Sequence, residues 1–479
     1  MFKIDKYEKL LILIFLVTVP LSNPWVRGDG VGYYAYVRSL LIERDLNFEE
    51  DWKHGNDSFV MGRLDSNGRV VASEYTQTGH INNHWSVGPS ILWAPFLIAT
   101  HVAVLLCNLL GARIPADGFS LPYLITMALA TTFYGFLGIC LSYRLAINYF
   151  DKRWAFIGTL GIWWASSLPV YMYFNPFWSH AHSAFVVALF LWYWEHTRPK
   201  RTFKQWLLLG LISGLLVDVY FVNGVFLGVP FIESICGYVE DLRSRDVAAA
   251  LHTFGANLLF LATFGIVVLP TLITRKIVFG GMLRFGAYTA LPWNWRAPYW
   301  HSVLFSSDHG MLSWTPLLGF SLLGLFLPMT KGNQIKAYFV LAVVAFYYVI
   351  SSYPYWNGLA SYGNRFFISV TPIFVFGLAL LLDRLGSLFR TFQVAYAVQA
   401  FSLSLFALWN LAFIFQWGTH MVPTRGPISW RSMRHQQVYD VPLRITHSLA
   451  TYFTHRGEMM QRIEQEDIEE QQLGEKKGE

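Results

Sequence analysis

The run Ile91-Leu92-Trp93-Ala94-Pro95-Phe96-Leu97-Ile98-Ala99-Thr100-His101-Val102-Ala103-Val104-Leu105-Leu106-Cys107-Asn108-Leu109-Leu110 decides how this chain is threaded. It is apolar over enough length to cross a bilayer, since a helical span needs roughly 20 residues at about 1.5 Å each. Whether it crosses sets the side of every later loop. Basic residues collect in short loops: Lys3, Lys6 and Lys9; Arg144, Lys152 and Arg153; Arg198, Lys200, Arg201 and Lys204; Arg243 and Arg245; Lys331 and Lys336; Arg384 and Arg390. Cytoplasmic loops carry such an excess. If residues 91–110 crossed, Arg144, Lys152 and Arg153 would lie outside. The run is therefore read as a juxtamembrane or re-entrant helix, bent near Pro95, with His101 midway.

Composition agrees with a polytopic membrane protein: hydrophobic residues make up 54%, aromatic residues 17% and charged residues only 14%. The predicted spans fall near 10–24, 120–142, 154–174, 179–196, 206–218, 221–238, 254–274, 310–328, 336–352, 366–383 and 394–415, about eleven in all. The amino terminus is then inside and the carboxyl terminus outside. The first apolar run, Leu10 to Leu21, precedes Pro20-Leu21-Ser22-Asn23-Pro24 without a small-x-small cleavage site, which predicts an uncleaved span. The interrupted stretch Trp206 to Cys236 predicts a hairpin of short helices. Cys107, Cys140 and Cys236 are scattered in apolar segments, which supports neither a disulfide framework nor a zinc cluster. The net charge of +6 belongs to loops and implies no nucleic-acid partner.

This threading yields a transmembrane domain over 1–415, with a large outer loop at 24–119, and an outer tail at 416–479. The tail is basic first and acidic last, with Glu464, Glu466, Asp467, Glu469 and Glu470, and reads as a solvated or frayed helix.

The polar residues worth explaining crowd the outer side. Asp29, in Trp25-Val26-Arg27-Gly28-Asp29-Gly30-Val31-Gly32-Tyr33-Tyr34, follows the first span. Tyr33, Val37, Leu40 and Leu41 recur after it at helical spacing, with Arg38, Glu43 and Arg44 polar, as in a helix along the membrane face. Asp29 is then either the N-cap of that helix or a carboxylate at a bilayer surface. His84 stands where the loop returns to the bilayer and is either a donor to a lipid phosphate or a satisfied loop histidine. His180 and His182 stand at the mouth of a span; two residues apart, they do not share a helical face, which argues against a common metal. Either one of them points into a cavity or both belong to an aromatic-rich interfacial cap. Arg284, Asp308 and His309 fall in a third outer region. Arg365, in Tyr362-Gly363-Asn364-Arg365-Phe366, opens a later span and suits bidentate phosphate recognition, with snorkelling as its alternative.

Taken together, Gly28-Asp29-Gly30-Val31-Gly32-Tyr33-Tyr34, Val87-Gly88-Pro89-Ser90-Ile91-Leu92-Trp93-Ala94-Pro95-Phe96, Ser307-Asp308-His309-Gly310-Met311 and Tyr362-Gly363-Asn364-Arg365-Phe366 resemble the GT-C membrane glycosyltransferases. They look like bacterial relatives of protein O-mannosyltransferases and of lipid A aminoarabinose transferases. The resemblance covers the first span to about residue 415. It implies an all-α GT-C-like bundle with juxtamembrane helices in the first outer loop, in a bacterial inner membrane. It also implies a polyprenyl-phosphate sugar donor, an extracytoplasmic site, and a first-loop Asp acting as base, which Asp29 matches. Relatives often carry Lys before the return helix, where this chain has His84; protein mannosyltransferases carry Asp-Glu, where it has Asp29-Gly30.

Inverting sugar transfer needs a base for the acceptor hydroxyl and cations for the departing phosphate. The expected assignment is Asp29 as base and Arg365, Arg284 and His84 as phosphate ligands, with Tyr33, His180, Asp308 and His309 as further site candidates. The acceptor is a glycan, lipid or protein. No cofactor is identified; a divalent cation would suit the reaction, but the sequence offers no cage of oxygen ligands. The competing class is a transporter or flippase using Asp218, His101 and Glu195 as intramembrane polar groups. Transporters show internal repeats, and none is evident here.

Overall fold

The computed structural model describes residues 4–198, 201–284 and 291–478, the side chains of 474–478 excepted. Regular structure among them is helical, apart from isolated bridges joining Leu64 to Val70 and Tyr75 to Ile81. The longer helices are α1 (Lys6–Thr18), α2 (Asp29–Arg38), α3 (Gly88–Leu109), α4 (Leu121–Ala146), α5 (Lys152–Trp164), α6 (His180–His196), α7 (Phe203–Val219), α8 (Gly228–Ser244), α9 (Val247–Phe279), α10 (Leu317–Leu325), α11 (Asn333–Ser352), α12 (Thr371–Gly386), α13 (Phe392–Gly418), α14 (Trp430–Tyr439), α15 (Val441–Thr454) and α16 (Arg456–Gly478).

The basic loops gather at one end of the bundle. Lys152 Nζ lies 3.0 Å from Asp5, and Arg144 pairs with Glu8. The Tyr149 hydroxyl donates to Glu195 at 2.7 Å, while Arg198 reaches Glu233 at 3.1 Å and Gln334 at 3.0 Å. Lys3 and Lys200 lie outside the described residues. At the opposite end the Asn23 amide donates to the Tyr173 carbonyl at 2.7 Å, and Ser22 meets Thr132 at 2.7 Å.

Among the described residues seven helices are long and apolar enough to cross a membrane: α3, α4, Phe221–Ser244, α9, α11, Arg365–Gly386 and α13. The chain is an all-helical integral membrane protein. The count of about eleven expected spans is not what length and composition select. Residues 154–174 break into α5 and a π-helical turn at Val170–Phe174, and 310–328 into Met311–Trp314 and α10. The expected hairpin over Trp206 to Cys236 forms, turning through a 3₁₀ helix at Phe221–Leu227, but its arms are longer than foreseen.

Length and composition thus admit α3 as a span. Its packing carries other information. The Tyr134 hydroxyl donates to Leu92 O at 3.1 Å, Trp93 Nε1 donates to Thr131 at 2.9 Å, and His101 meets the Tyr123 hydroxyl at 2.7 Å. Since α4 joins Ser22 through Thr132 and the basic end through Arg144, α3 climbs α4 away from the basic loops.

The outer loop has its own core, in which Tyr34, Tyr36, Trp52, Trp85, Trp93 and Phe177 are buried. Burying an aromatic side chain of this size contributes about 1.5–3 kcal/mol. Helix α2 lies inside this core rather than along a surface, correcting the expectation of a half-polar face. Even Arg38 is 1% exposed, held by Asp51 at 2.7 Å and Glu43 at 2.7 Å.

The tail departs furthest from its sequence reading. Tyr452, Met459 and Ile463 are buried against Trp25, Phe174 and Met460, so α15 and α16 dock on the end of the bundle opposite the basic loops and are not frayed.

Candidate functional site

Three glycines bring α2 to its place. Gly28 adopts φ +52°, a left-handed conformation that costs a residue with a Cβ roughly 1–2 kcal/mol. A Cβ on Gly30 would stand 2.7 Å from Phe177 Cβ, and one on Gly32 would stand 1.9 Å from the Trp85 ring. The Gly-x-Gly-x-Gly pattern therefore seats α2 against the turn at 175–178 and the loop return.

Asp29 is the first residue of α2, with Gly28 as its N-cap. The capping alternative does not hold, because the carboxylate faces Arg365, Nη2 to Oδ2 3.0 Å. Arg365 opens the 3₁₀ turn Arg365–Val370. Its guanidinium lies 4.2 Å from the Trp178 ring, and its side chain is 11% exposed, so it turns inward rather than snorkelling. Asp29 keeps 31% of its side-chain surface.

A cleft of about 150 Å³ opens beside this pair. Asn175 and Trp178 line it from the turn before α6, Ser58 from the outer loop, and Gly358, Leu359 and Ala360 from the loop before Arg365. Arg27, Trp417, Arg425, Asp467 and Gln471 complete the wall.

His84 is stacked on Trp85 with ring centroids 4.0 Å apart, and its carbonyl accepts from Arg275 at 3.1 Å. Burial lowers its imidazole to about 4, against the opposing pull of the Asp29 charge. It is thus neutral near pH 7, a hydrogen-bond donor and not a cation. Tyr33 packs beneath the site, its hydroxyl accepting from Ser179 at 3.0 Å. His180 is buried in an aromatic nest, 4.8 Å from the Tyr171 ring and 6.3 Å from Phe366, and does not line the cleft. Asp308 accepts from Asn357 Nδ2 at 2.8 Å and so steadies the loop that supplies Gly358 to Ala360. His309 is buried at φ +60°, its imidazole lowered to about 3 by burial with help from the Arg365 charge. Arg284 is exposed beyond α9, turns back to Phe279 O at 3.4 Å, and is not brought to the Asp29 cleft.

Sequence reading missed Arg27, Trp178, Arg425, Asp467 and Gln471. Arg27 stood two residues before Asp29, and the acidic run of the tail was visible; its docking was not. No three His, Cys, Asp or Glu residues gather into a metal-binding group among the described residues.

No protein-family model matches the sequence, and no curated protein sequence matches it. The fold, however, is similar to that of ArnT from Cupriavidus metallidurans in the apo state. The two align with a TM-score of 0.50 and 13% identity over 96% of this chain and 73% of that one. A structure of ArnT bound to undecaprenyl phosphate aligns at 0.49 with 14% identity over the same shares. The likeness is one of fold.

Proposed function

We propose that this protein transfers a sugar from a polyprenyl-phosphate donor to an acceptor at the extracytoplasmic face, with Asp29 as base. The observation that carries this reading is the Asp29–Arg365 pair beside an open cleft, at the bundle end opposite the basic loops. Catalysis of this kind needs one group to take a proton and another to hold a departing phosphate, within reach of one sugar carbon.

The step balances as a displacement. The acceptor hydroxyl oxygen attacks the anomeric carbon, its proton passes to the Asp29 carboxylate, and the bond from that carbon to the phosphate oxygen breaks. The lipid phosphate leaves with the electron pair. A guanidinium carries five N–H donors in a planar fork, so Arg365 serves a carboxylate and a phosphate together. His84, stacked on Trp85, does not line the cleft and takes no part in this step. A lipid-linked donor also explains why the cleft lies where apolar helices end.

This reading places α3 on the outer side without crossing, in keeping with its register against α4. Cysteines introduced at Ser90 and Gly111 are then both labelled from outside in sealed vesicles. Labelling of the second site only from the basic side refutes the threading. Function itself is tested by incubating the membrane-embedded protein with labelled polyprenyl-phosphate sugars and extracting the lipids. Transfer of label to an acceptor or to water supports the proposal, and an untouched donor across the common sugars opposes it.

A further inference from the structure

Arg27 lines the cleft with Asp29 and Arg365, and its place is fixed from three sides. Its carbonyl accepts from Trp178 Nε1 at 3.0 Å, the same indole that carries the Arg365 guanidinium. Its own guanidinium lies 4.4 Å from the Trp25 ring and pairs with Asp467 on α16.

The tail is anchored on both sides of that pair. Glu464 accepts from Asn56 Nδ2 at 2.7 Å. Glu470 accepts from the Thr424 hydroxyl at 2.6 Å and the Arg425 amide at 3.0 Å. His420 bridges the last two acids, 3.2 Å from Asp467 and 3.6 Å from Glu470. Glu464, Asp467 and Gln471 recur at helical spacing, so one face of α16 meets the outer loop and the cleft.

We propose that Arg27 is a second phosphate-holding residue of this cleft and that Asp467, delivered by the carboxy-terminal helix, is its positioning residue. The inference rests on the donor reading above. Formal charge fits it: three guanidiniums line the cleft, from Arg27, Arg365 and Arg425, against two carboxylates, from Asp29 and Asp467. One positive charge remains for the single negative charge of a sugar phosphodiester. A guanidinium at the end of a flexible stem loses much side-chain entropy when a ligand fixes it. Pairing with Asp467 and stacking on Trp25 removes that loss in advance, the preorganisation expected of a group that must meet developing charge. The tail thereby completes the site.

The test is binding of decaprenyl phosphate, and separately of inorganic pyrophosphate, to the full-length protein in detergent. Asp467→Asn keeps the shape and removes the charge, and is expected to weaken decaprenyl phosphate binding roughly tenfold, the worth of about one charge-assisted hydrogen bond. Asp467→Glu is expected to restore most of it, and Arg27→Ala to weaken it at least as much as Asp467→Asn. Unchanged affinity in Asp467→Asn and Arg27→Ala, with the wild type binding, overturns the inference and leaves the donor reading intact. If the wild type ignores decaprenyl phosphate but binds pyrophosphate in an Arg27-dependent and Asp467-dependent way, the donor reading fails and the anion site stands. If it binds neither, both fail.

Discussion

The two ends of the helix bundle use the same charges to opposite effect. At the basic end, Lys152 with Asp5, Arg144 with Glu8 and Arg198 with Glu233 tie helix termini to one another. At the far end, Arg365 with Asp29 and Arg27 with Asp467 stand around a cleft, backed by the Trp178 and Trp25 rings. In the first group only Lys152 is exposed, and a pair of that kind contributes about 0–1 kcal/mol, while Arg144 with Glu8 and Arg198 with Glu233 are as desolvated as the pairs at the far end. Arg198 too lies over an aromatic ring, that of Trp194 at 4.7 Å, so what sets the second group apart is that all four of its residues line one cleft.

After the loss of the Asp29 carboxylate, treated last, the largest expected contrast comes from Arg365→Lys. An ammonium keeps the charge but loses the planar fork and the stacking on Trp178. Donor use is expected to fall roughly 10–100-fold, mostly through KM, the worth of about 1.5–3 kcal/mol for bonds to a charged group. Unchanged donor dependence in a correctly inserted variant removes Arg365 from the site.

A smaller and reversible contrast lies in the tail. Burial alone would lower the His420 imidazole, but Asp467 and Glu470 outweigh it and raise it to about 9 from 6.5. Because the folded value is the higher one, this stabilisation is fully present below about 6.5 and is lost as pH rises through about 9. Burial would raise Glu470, yet His420 and Thr424 hold it at about 2, so it stays ionised throughout. Between pH 7 and 9.5 the wild-type tail should become steadily easier to cleave by trypsin, while His420→Gln should be cleaved readily at both ends of the range. Parallel behaviour of the two proteins would show that His420 does not latch the tail.

The smallest effect belongs to the basic end. Lys152→Met breaks the Asp5 pair, and its side chain is 54% exposed. Stability should change by no more than about 1 kcal/mol and sugar transfer not at all. A strong loss of transfer there would erase the distinction between the two ends.

Much of this was legible in the sequence, for local reasons. Apolar runs and basic loops are read within a few residues, and Asp29 and Arg365 stand out because each opens a helix at a bilayer exit. Their pairing bridges residues 29 and 365, and no local pattern reports that. The same holds for Arg27 with Asp467 and Asn56 with Glu464. An acidic run looks alike whether solvated or docked, so the tail was misread. Two expected spans are not single continuous helices, because a π turn after α5 and the break before α10 keep apolar composition while changing the helical hydrogen bonding. The glycines around Asp29 were visible, but the indole that requires Gly32 lies on Trp85, far along the loop.

The central claim is that the Asp29 carboxylate takes the acceptor proton, and Asp29→Asn tests it most directly, since the amide keeps the shape and a bond to Arg365 but cannot act as the base. Transfer from labelled polyprenyl-phosphate sugar, measured in vesicles where variant and wild type insert equally, should fall by about two to four orders of magnitude, the usual worth of a general base. Near-full transfer by Asp29→Asn would contradict the account and leave Asp29 as a structural partner of Arg365.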